Sequence, residues 1–224
     1  MSKDLTVRLR NALDESTQLF VMYGQTEATA RLTWVPPDRL DEKLGSAGIP
    51  IPGVTLRIQG RNGQPMGVGQ VGEVLALGDN IMSRYWCNPE ATARTIVDGW
   101  LHTGDLGYLD ADGYLFISGR ASEMIKTGAY RVSPKEIEEL IASLDCIDEV
   151  AVCGVPDKLL GQVVAAFLVG AESPANARKV LSLCRQSLSL HKVPRHIEWR
   201  DRLPKTASGK LKKHKLAAGC ELRT

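Results

Sequence analysis

The sequence predicts a protein of mixed α/β and α+β class, with a strand-rich first domain over residues 1–121 and a small α+β domain over residues 122–224. Short alternating apolar segments separated by glycine turns fill the first part, which is typical of an antiparallel sheet or small barrel. After Ala121-Ser122 the order becomes β-α-β-β-α-β, which is typical of an independent α+β unit. The chain has 224 residues, of which 43% are hydrophobic, and this is enough for two small cores.

The first domain begins with a short helix and a strand. Leu5, Leu9 and Leu13 have the spacing of an amphipathic helix. The apolar run at residues 18–23 predicts a buried strand that stops at Gly24. Further strands are expected at residues 54–59, 71–77 and 114–118. A helix is expected at residues 88–94, with Asn88 as its N-cap.

The second domain contains a clear helix start. Ser133 suits an N-cap and Pro134 suits the first helical position, and an apolar stripe follows. Strands are expected at residues 123–126, 149–155, 163–169 and 195–200, and a second helix is expected at residues 175–190. A basic segment then presents Lys210 next to a Ser208-Gly209 turn, so a mobile ammonium on a long stem would lie at a loop tip.

Composition favours a cytoplasmic protein that binds neither nucleic acid nor membrane. The formal net charge is +2, and the basic excess near the end carries no interleaved aromatic residues for base stacking. The five cysteines form no C-x-x-C pair, so we expect reduced, mostly buried thiols. We find no apolar run of about 18 residues that would suggest a membrane span.

Polar residues follow the first predicted strand directly. Gln25, Thr26 and Glu27 come after Gly24, and the edge where a strand ends is where ligands bind in open α/β sheets. The hydroxyl can donate to a phosphate oxygen, and the carboxylate can hold Mg²⁺. The same residues also suit a turn followed by a helix cap, and the pentapeptide leaves both interpretations open.

A second carboxylate is predicted on a tight Gly104-Asp105 turn. A rigidly held carboxylate can accept hydrogen bonds from two vicinal hydroxyls such as those of a ribose. The alternative is an aspartate that caps its own turn. The acidic segment 110–113 is expected to be an ordinary hairpin loop, because no bidentate Glu follows at calcium-loop spacing.

Five sequence motifs follow one another along the chain, namely YGQTE, GEVLALGDNIMSRYW, GWLHTGDLG, GRASEMIKTGAYRVSPKEIE and LPKTASGK. Together they resemble the AMP-forming acyl-CoA synthetase and adenylation-domain superfamily. The resemblance covers nearly the whole chain. It implies the distal, strand-rich part of the large adenylate-forming domain, followed by the mobile C-terminal domain, whereas the phosphate loop that the family carries upstream is absent from these residues.

The resemblance implies a role for each matching residue. In the first domain it implies Tyr23 near adenine with Gly24 and Gln25 beside it, Thr26 on the α-phosphate, Glu27 on Mg²⁺, and Asp105 joined by Arg120 on the ribose. In the second domain it implies Lys210 as the catalytic lysine of adenylation, Lys126 and Arg131 as residues that face the site after rotation, and Ser122 as the hinge.

Two positions depart from the family pattern. Ser122 stands where Asp or Lys is common, and a small polar residue can still absorb a hinge motion. Ala129 stands where a Gly usually lets the pantetheine arm pass close to the backbone. The thioester step is therefore expected to be more affected than adenylation.

The implied function is an acid–thiol ligase that uses ATP, Mg²⁺, a small carboxylic acid, and CoA or an acyl carrier protein. We expect little adenylation by the isolated chain, because a phosphate-loop portion would have to come from elsewhere, for example a separate subunit. A truncated, non-catalytic copy or a carrier-protein-docking module is the alternative. Uncovered apolar surface predicts self-association, and apolar Val21, Met22 and Ala28 favour a fatty or aryl acid.

Overall fold

The computed structural model describes residues 3–14, 16–207 and 209–218. The chain forms two compact units, Met1–Ala121 and Ser122–Thr224. Each unit is of mixed α and β structure and builds its own apolar core.

The first unit opens with helix α1 (Lys3–Ala12) and a small antiparallel sheet. The strands of this sheet are β1 (Val21–Tyr23), β2 (Thr33–Val35) and β3 (Ile49–Pro50), in the order β1-β2-β3. The predicted strand at residues 18–23 is therefore shorter than expected. It is also only partly buried, because Phe20 and Met22 are 43% and 47% exposed.

A five-stranded sheet completes the first unit. It contains β4 (Thr55–Gln59), β5 (Gly72–Leu77), β6 (Ile96–Val97), β7 (Trp100–Leu109) and β8 (Leu115–Arg120), with helix α2 (Pro89–Thr95) before β6. β5 pairs with β4 and β7, while β7 also pairs with β6 through its first residues and with β8 through its last. The Asn88 side chain accepts a hydrogen bond from the Ala91 amide, so the predicted N-cap of α2 is present.

A lysine pairs with both carboxylates of the acidic hairpin loop between β7 and β8. The Lys43 ammonium lies 2.8 Å from Asp110 Oδ2 and also contacts Asp112. The same ammonium lies 4.7 Å from the centre of the Tyr114 ring. These contacts fit the prediction of an ordinary hairpin loop at residues 110–113.

The second unit is a five-stranded sheet with helices. Its elements are β9 (Ile125–Thr127), β10 (Tyr130–Val132), α3 (Pro134–Ile141), β11 (Ile147–Asp157), β12 (Gly161–Gly170), α4 (Pro174–Ser187), β13 (His196–Trp199) and α5 (Lys213–Ala218). The strand order is β10-β9-β12-β11, with β13 parallel to β12. One core cluster includes Ile137, Ile141 and Val180 of α3 and α4, and another joins Phe167 to Leu216 of α5.

The structure corrects three local predictions. Leu5, Leu9 and Leu13 are all substantially exposed, whereas Thr6 is the buried residue of α1. Several elements were not predicted, namely strands β2, β3, β6, β7 and β10 and helix α5. Of the cysteines, Cys153 and Cys184 are buried, but Cys87 is exposed, and Cys220 lies outside the described residues.

Candidate active site

Asp105 is a buried carboxylate with two partners of different kinds. The Tyr23 hydroxyl donates to Asp105 Oδ2 at 2.7 Å, and Arg120 Nε lies 2.9 Å from Oδ1. The side chain of Asp105 is 8% exposed, whereas that of Arg120 is 53% exposed. Burial, together with the adjacent Asp105 carboxylate, raises the pKa of Tyr23 well above its ordinary value, so the hydroxyl remains a donor.

The local geometry of Asp105 differs from the prediction. Asp105 lies within strand β7, where Arg120 is its direct partner on β8, and not on a turn. A register shift between β5 and β7 forms a bulge here, in which Gly104 has φ 71°. The Thr103 hydroxyl donates to the Val74 carbonyl at 2.7 Å and accepts from the Asp105 amide at 3.1 Å. The bulge and Thr103 together set the direction of the carboxylate.

The segment after β1 is a strained loop supported from a distance. Residues Thr26–Ala28 form a 3-10 turn, and Thr29 and Ala30 follow with φ 50° and 73°. The Asn80 side-chain amide donates to the carbonyls of Ala28 and Arg31 at 3.0 and 2.8 Å, and the Thr29 hydroxyl donates to the Asn80 carbonyl. Two successive non-glycine residues with positive φ are uncommon, so these bonds help to hold an unfavourable backbone.

Glu27 is oriented by a tyrosine. The Tyr85 hydroxyl donates to Glu27 Oε1 at 2.7 Å. This hydrogen bond first, and then burial, raises the pKa of Tyr85. A carboxylate has about four acceptor positions, so Glu27 retains capacity for a hard cation such as Mg²⁺. The neighbouring Thr26 is exposed, which leaves its hydroxyl accessible.

In the second unit, Lys126 and Arg131 are direct partners across the β9–β10 hairpin, and both are exposed. Gly128 has φ 56°, whereas Ala129 is not among the residues with positive φ. The alanine is therefore accommodated because Gly128 takes the left-handed position of the turn. A groove of about 340 Å³ borders this hairpin, and the stacked rings of Tyr130 and His191 line it with their centroids 3.9 Å apart.

Lys210 lies on a tight loop, residues 204–212, which we call the Lys210 loop. The Thr206 amide donates to the Lys210 carbonyl at 2.8 Å, and the Lys210 amide donates back to the Thr206 hydroxyl at 3.0 Å. Gly209 has φ 83°, as a turn glycine should, while Ser208 lies outside the described residues. Lys210 itself is exposed.

Within the first unit, therefore, the structure brings Tyr23, Asp105 and Arg120 into contact and places Thr26 and Glu27 on one turn. Gly24 and Gln25 connect Tyr23 to that turn. Lys126, Arg131 and Lys210 belong to the second unit. Ser122, the first residue of that unit, lies exposed on the turn Ala121–Glu123, which crosses the boundary between the two units.

Sequence reasoning did not single out Asn80 or Tyr85. Both residues lie in the segment GEVLALGDNIMSRYW, which carried part of the resemblance, but their contacts join positions more than 45 residues apart. The three apolar residues that favoured a fatty or aryl acid differ in their burial. Val21 and Ala28 are packed in core clusters, whereas Met22 is 47% exposed.

In the described residues, no helix has both the length and the apolar character needed to cross a bilayer. The same residues contain no group of three or more His, Cys, Asp or Glu side chains arranged for a metal ion.

Two family models match the chain. The model described as AMP-binding enzyme matches residues 1–86, and the model described as AMP-binding enzyme C-terminal domain matches residues 136–210. A feruloyl-CoA synthase from an Amycolatopsis species is 38% identical over 202 residues, which is 90% of this chain and 41% of the relative. An indoleacetate–CoA ligase from Aromatoleum aromaticum is 38% identical over 206 residues, which is 92% of this chain and 40% of the relative.

Solved structures resemble the chain in fold. The o-succinylbenzoate CoA synthetase of Bacillus subtilis, in complex with its acyl-adenylate intermediate, has a TM-score of 0.87 at 33% identity and is matched over 96% of this chain and 43% of that chain. An anthranilate CoA ligase in complex with anthranoyl-AMP has a TM-score of 0.89 at 30% identity, over 99% of this chain and 43% of that chain. The chain thus spans about two fifths of the length of these relatives.

Proposed function

Because the chain belongs to the adenylate-forming superfamily of AMP-binding enzymes, we propose that it supplies the distal part of an ATP-dependent acid–thiol ligase. The observation that carries this proposal is the buried Asp105 carboxylate, which Tyr23 and Arg120 hold in a fixed direction. A preoriented acceptor of this kind suits a ribose diol. The proposed reaction is adenylation of a carboxylic acid followed by transfer of the acyl group to a thiol.

In the first unit the residues act on the nucleotide. Asp105 accepts hydrogen bonds from the ribose hydroxyls, and Arg120 offsets its charge. The exposed Thr26 hydroxyl donates to the α-phosphate, and Tyr23 lies near the adenine. Glu27, oriented by Tyr85, would hold Mg²⁺, which neutralises phosphate charge when bound.

In the second unit, Lys210 is the proposed catalytic residue of the first half-reaction, adenylation. Its ammonium would bridge the attacking carboxylate and the α-phosphate, since in-line phosphoryl chemistry depends on positioning and charge neutralisation. A rotation about Ser122 would then remove Lys210 from the active site. The β9–β10 hairpin, which carries Lys126 and Arg131, would face the active site in its place. The groove beside that hairpin is the proposed path of a CoA or carrier-protein pantetheine arm.

The nature of the acid is proposed from the relatives. Feruloyl-CoA synthase, indoleacetate–CoA ligase and anthranilate CoA ligase are named for aromatic acids, while a Yersinia pestis relative, 38% identical, is named for long-chain fatty acids. We propose an aryl or long-chain acid, and the upstream phosphate-loop part of the enzyme would come from a further segment or subunit.

A chimaera tests this proposal. The chain would replace the matching C-terminal two fifths of the indoleacetate–CoA ligase, and exchange of pyrophosphate into ATP would be measured with indoleacetate and with a panel of aryl and fatty acids. We expect acid-dependent exchange, which Lys210→Ala should lower about 10²- to 10³-fold because a transition-state charge contact is lost.

The unmodified relative is the positive control, and nucleotide binding by the chimaera, measured by calorimetry, shows that the site is formed. A chimaera that binds ATP but supports no exchange with any acid would contradict the proposal, and it would favour a non-catalytic copy.

A further inference from the structure

Lys213 is a largely buried cation held between two carboxylates of different segments. Its ammonium lies 2.8 Å from Glu138 Oε1 on α3 and 3.1 Å from Glu123 Oε2, which belongs to the first turn of the second unit. The Lys213 side chain is 18% exposed. Glu138 Oε1 also accepts a hydrogen bond from the Val152 amide of β11 at 2.7 Å. The ammonium therefore connects α5 directly to α3 and to the turn that carries Glu123, and Glu138 extends this connection to β11.

The charges of this cluster depend on one another. Burial lowers the pKa of Lys213, but the carboxylates of Glu138 and Glu123 raise it, and the net shift is upward. The lysine therefore stays protonated. Removing one member of a buried ion pair leaves an uncompensated charge, which is far more disruptive than losing an exposed pair.

This cluster lies directly after the Lys210 loop. Residues Lys205 and Leu211 pair as an isolated bridge, and Thr206 and Lys210 exchange two hydrogen bonds across the loop. Lys213 follows as the first residue of α5. The loop is thus a short hairpin, and the residue that follows its C-terminal end is Lys213, whose ammonium is largely buried.

We propose that Lys213 is a positioning residue that fixes the Lys210 loop to α3 and to the first turn of the second unit. Since Glu123 is adjacent to Ser122, the same ammonium links the loop to the proposed hinge. The catalytic consequence rests on the proposed role of Lys210, whereas the fixation of the loop does not.

Hydrogen exchange on the full chain tests the fixation. In Lys213→Met, the amides of the Lys210 loop should exchange about tenfold faster or more, because the Glu138 carboxylate, which is 19% exposed, no longer has a cation to hold α5 in place. Amides in the centres of β11 and β12 should keep their protection. Unchanged loop exchange, or equal acceleration in the loop and in the two strands, would overturn the proposal.

Lys205→Met is the matched control. Lys205 is on the same loop and forms an ion pair with Glu149, but this pair is exposed, at 41% and 40%. Its loss should change loop exchange by less than about twofold. Equal acceleration in both variants would refute a specific role of the buried ammonium. If Lys213→Met does not fold, Glu138→Gln removes the charge of the largely buried partner, keeps an oxygen that can accept from the Val152 amide, and should still accelerate the loop.

A second readout concerns catalysis in the chimaera described above. Lys213→Met should lower pyrophosphate exchange about tenfold or more. Thioester formation from a preformed acyl-adenylate should change by less than about twofold, because Lys210 is proposed to act in adenylation. Lys213→Arg should restore part of the exchange. A parallel fall in both half-reactions would indicate general destabilisation, and inactivity of the parent chimaera would count against the proposed function instead.

Discussion

Asp105 carries its charge where little water reaches it, and its two partners affect it differently. Arg120 supplies a compensating charge from the opposite strand, whereas Tyr23 supplies a neutral donor. Each carboxylate oxygen has two acceptor positions, so both contacts leave room for a further donor. A site built in this way needs little reorganisation when a diol binds.

The contribution of Tyr23 can be measured directly. Tyr23→Phe removes the donor to a buried carboxylate, and we expect the free energy of unfolding to fall by about 1.5–3 kcal/mol. Urea denaturation of the chain provides the measurement. Tyr108→Phe is the control, since Tyr108 packs on Phe116 with the ring centroids 5.2 Å apart, and its effect should be within about 0.5 kcal/mol. Equal losses in both variants would show that the Tyr23–Asp105 bond contributes nothing specific.

Residue identities at this site were predictable, but their geometry was not. The motifs pointed to Tyr23, Asp105 and Arg120, and the structure brings these three together. The turn predicted at Gly104 is a bulge instead, because its conformation depends on pairing with β5, about 30 residues earlier. Such pairing leaves no local signal in the sequence.

Among the elements, the loop after β1 is the most constrained. A methyl group at Gly24 would overlap the backbone of Ala30 and Arg31, so this glycine is required by a close approach of two chain segments. The approach is itself imposed by the positive φ angles of Thr29 and Ala30. The polypeptide therefore brings Thr26 and Glu27 to their positions through a backbone that tolerates little change.

Gly24→Ala should consequently destabilise the first unit. We expect a loss of about 1–3 kcal/mol in the free energy of unfolding, because the added methyl group meets backbone that has no room to move. Gly67→Ala is the matched control: its methyl group would make ordinary contact with the Gln70 side chain, and a small gain or no change is expected. Thermal denaturation of both variants checks the difference, and equal stability would contradict the steric argument.

Elements with strong end signals were the easiest to predict. Helices α3 and α4 both begin with Ser-Pro, and both were located within a few residues. Strand β10 has three residues and is defined by its pairing with β9, so no alternation could reveal it. Leu5, Leu9 and Leu13 have the spacing of an amphipathic helix, yet Thr6 is the buried residue of α1. Which side of the helix is buried depends on tertiary packing, and residue spacing alone does not reveal it.

At the scale of the molecule, the proposed chemistry needs two bodies that can reorient. Each unit has its own buried core, with Phe167 fully buried in the second and Leu101 fully buried in the first. Rotation about Ser122 remains a prediction, as does a cytoplasmic location. Self-association also remains a prediction, and the exposed side chains of Phe20, next to β1, and Met22, within β1, are examples of apolar surface in the first unit.

Separate cores predict separate unfolding transitions in calorimetry. Phe167→Ala deletes a fully buried ring and should cost about 3–5 kcal/mol in the second unit, so the transition of that unit moves to lower temperature while the other stays. Leu101→Ala should do the reverse, at a cost of about 2–5 kcal/mol in the first unit. This reciprocal pair controls for general effects of cavity formation. If each variant instead lowers one shared transition, the two units unfold as a single cooperative body, and the expectation that their separate cores unfold separately is wrong.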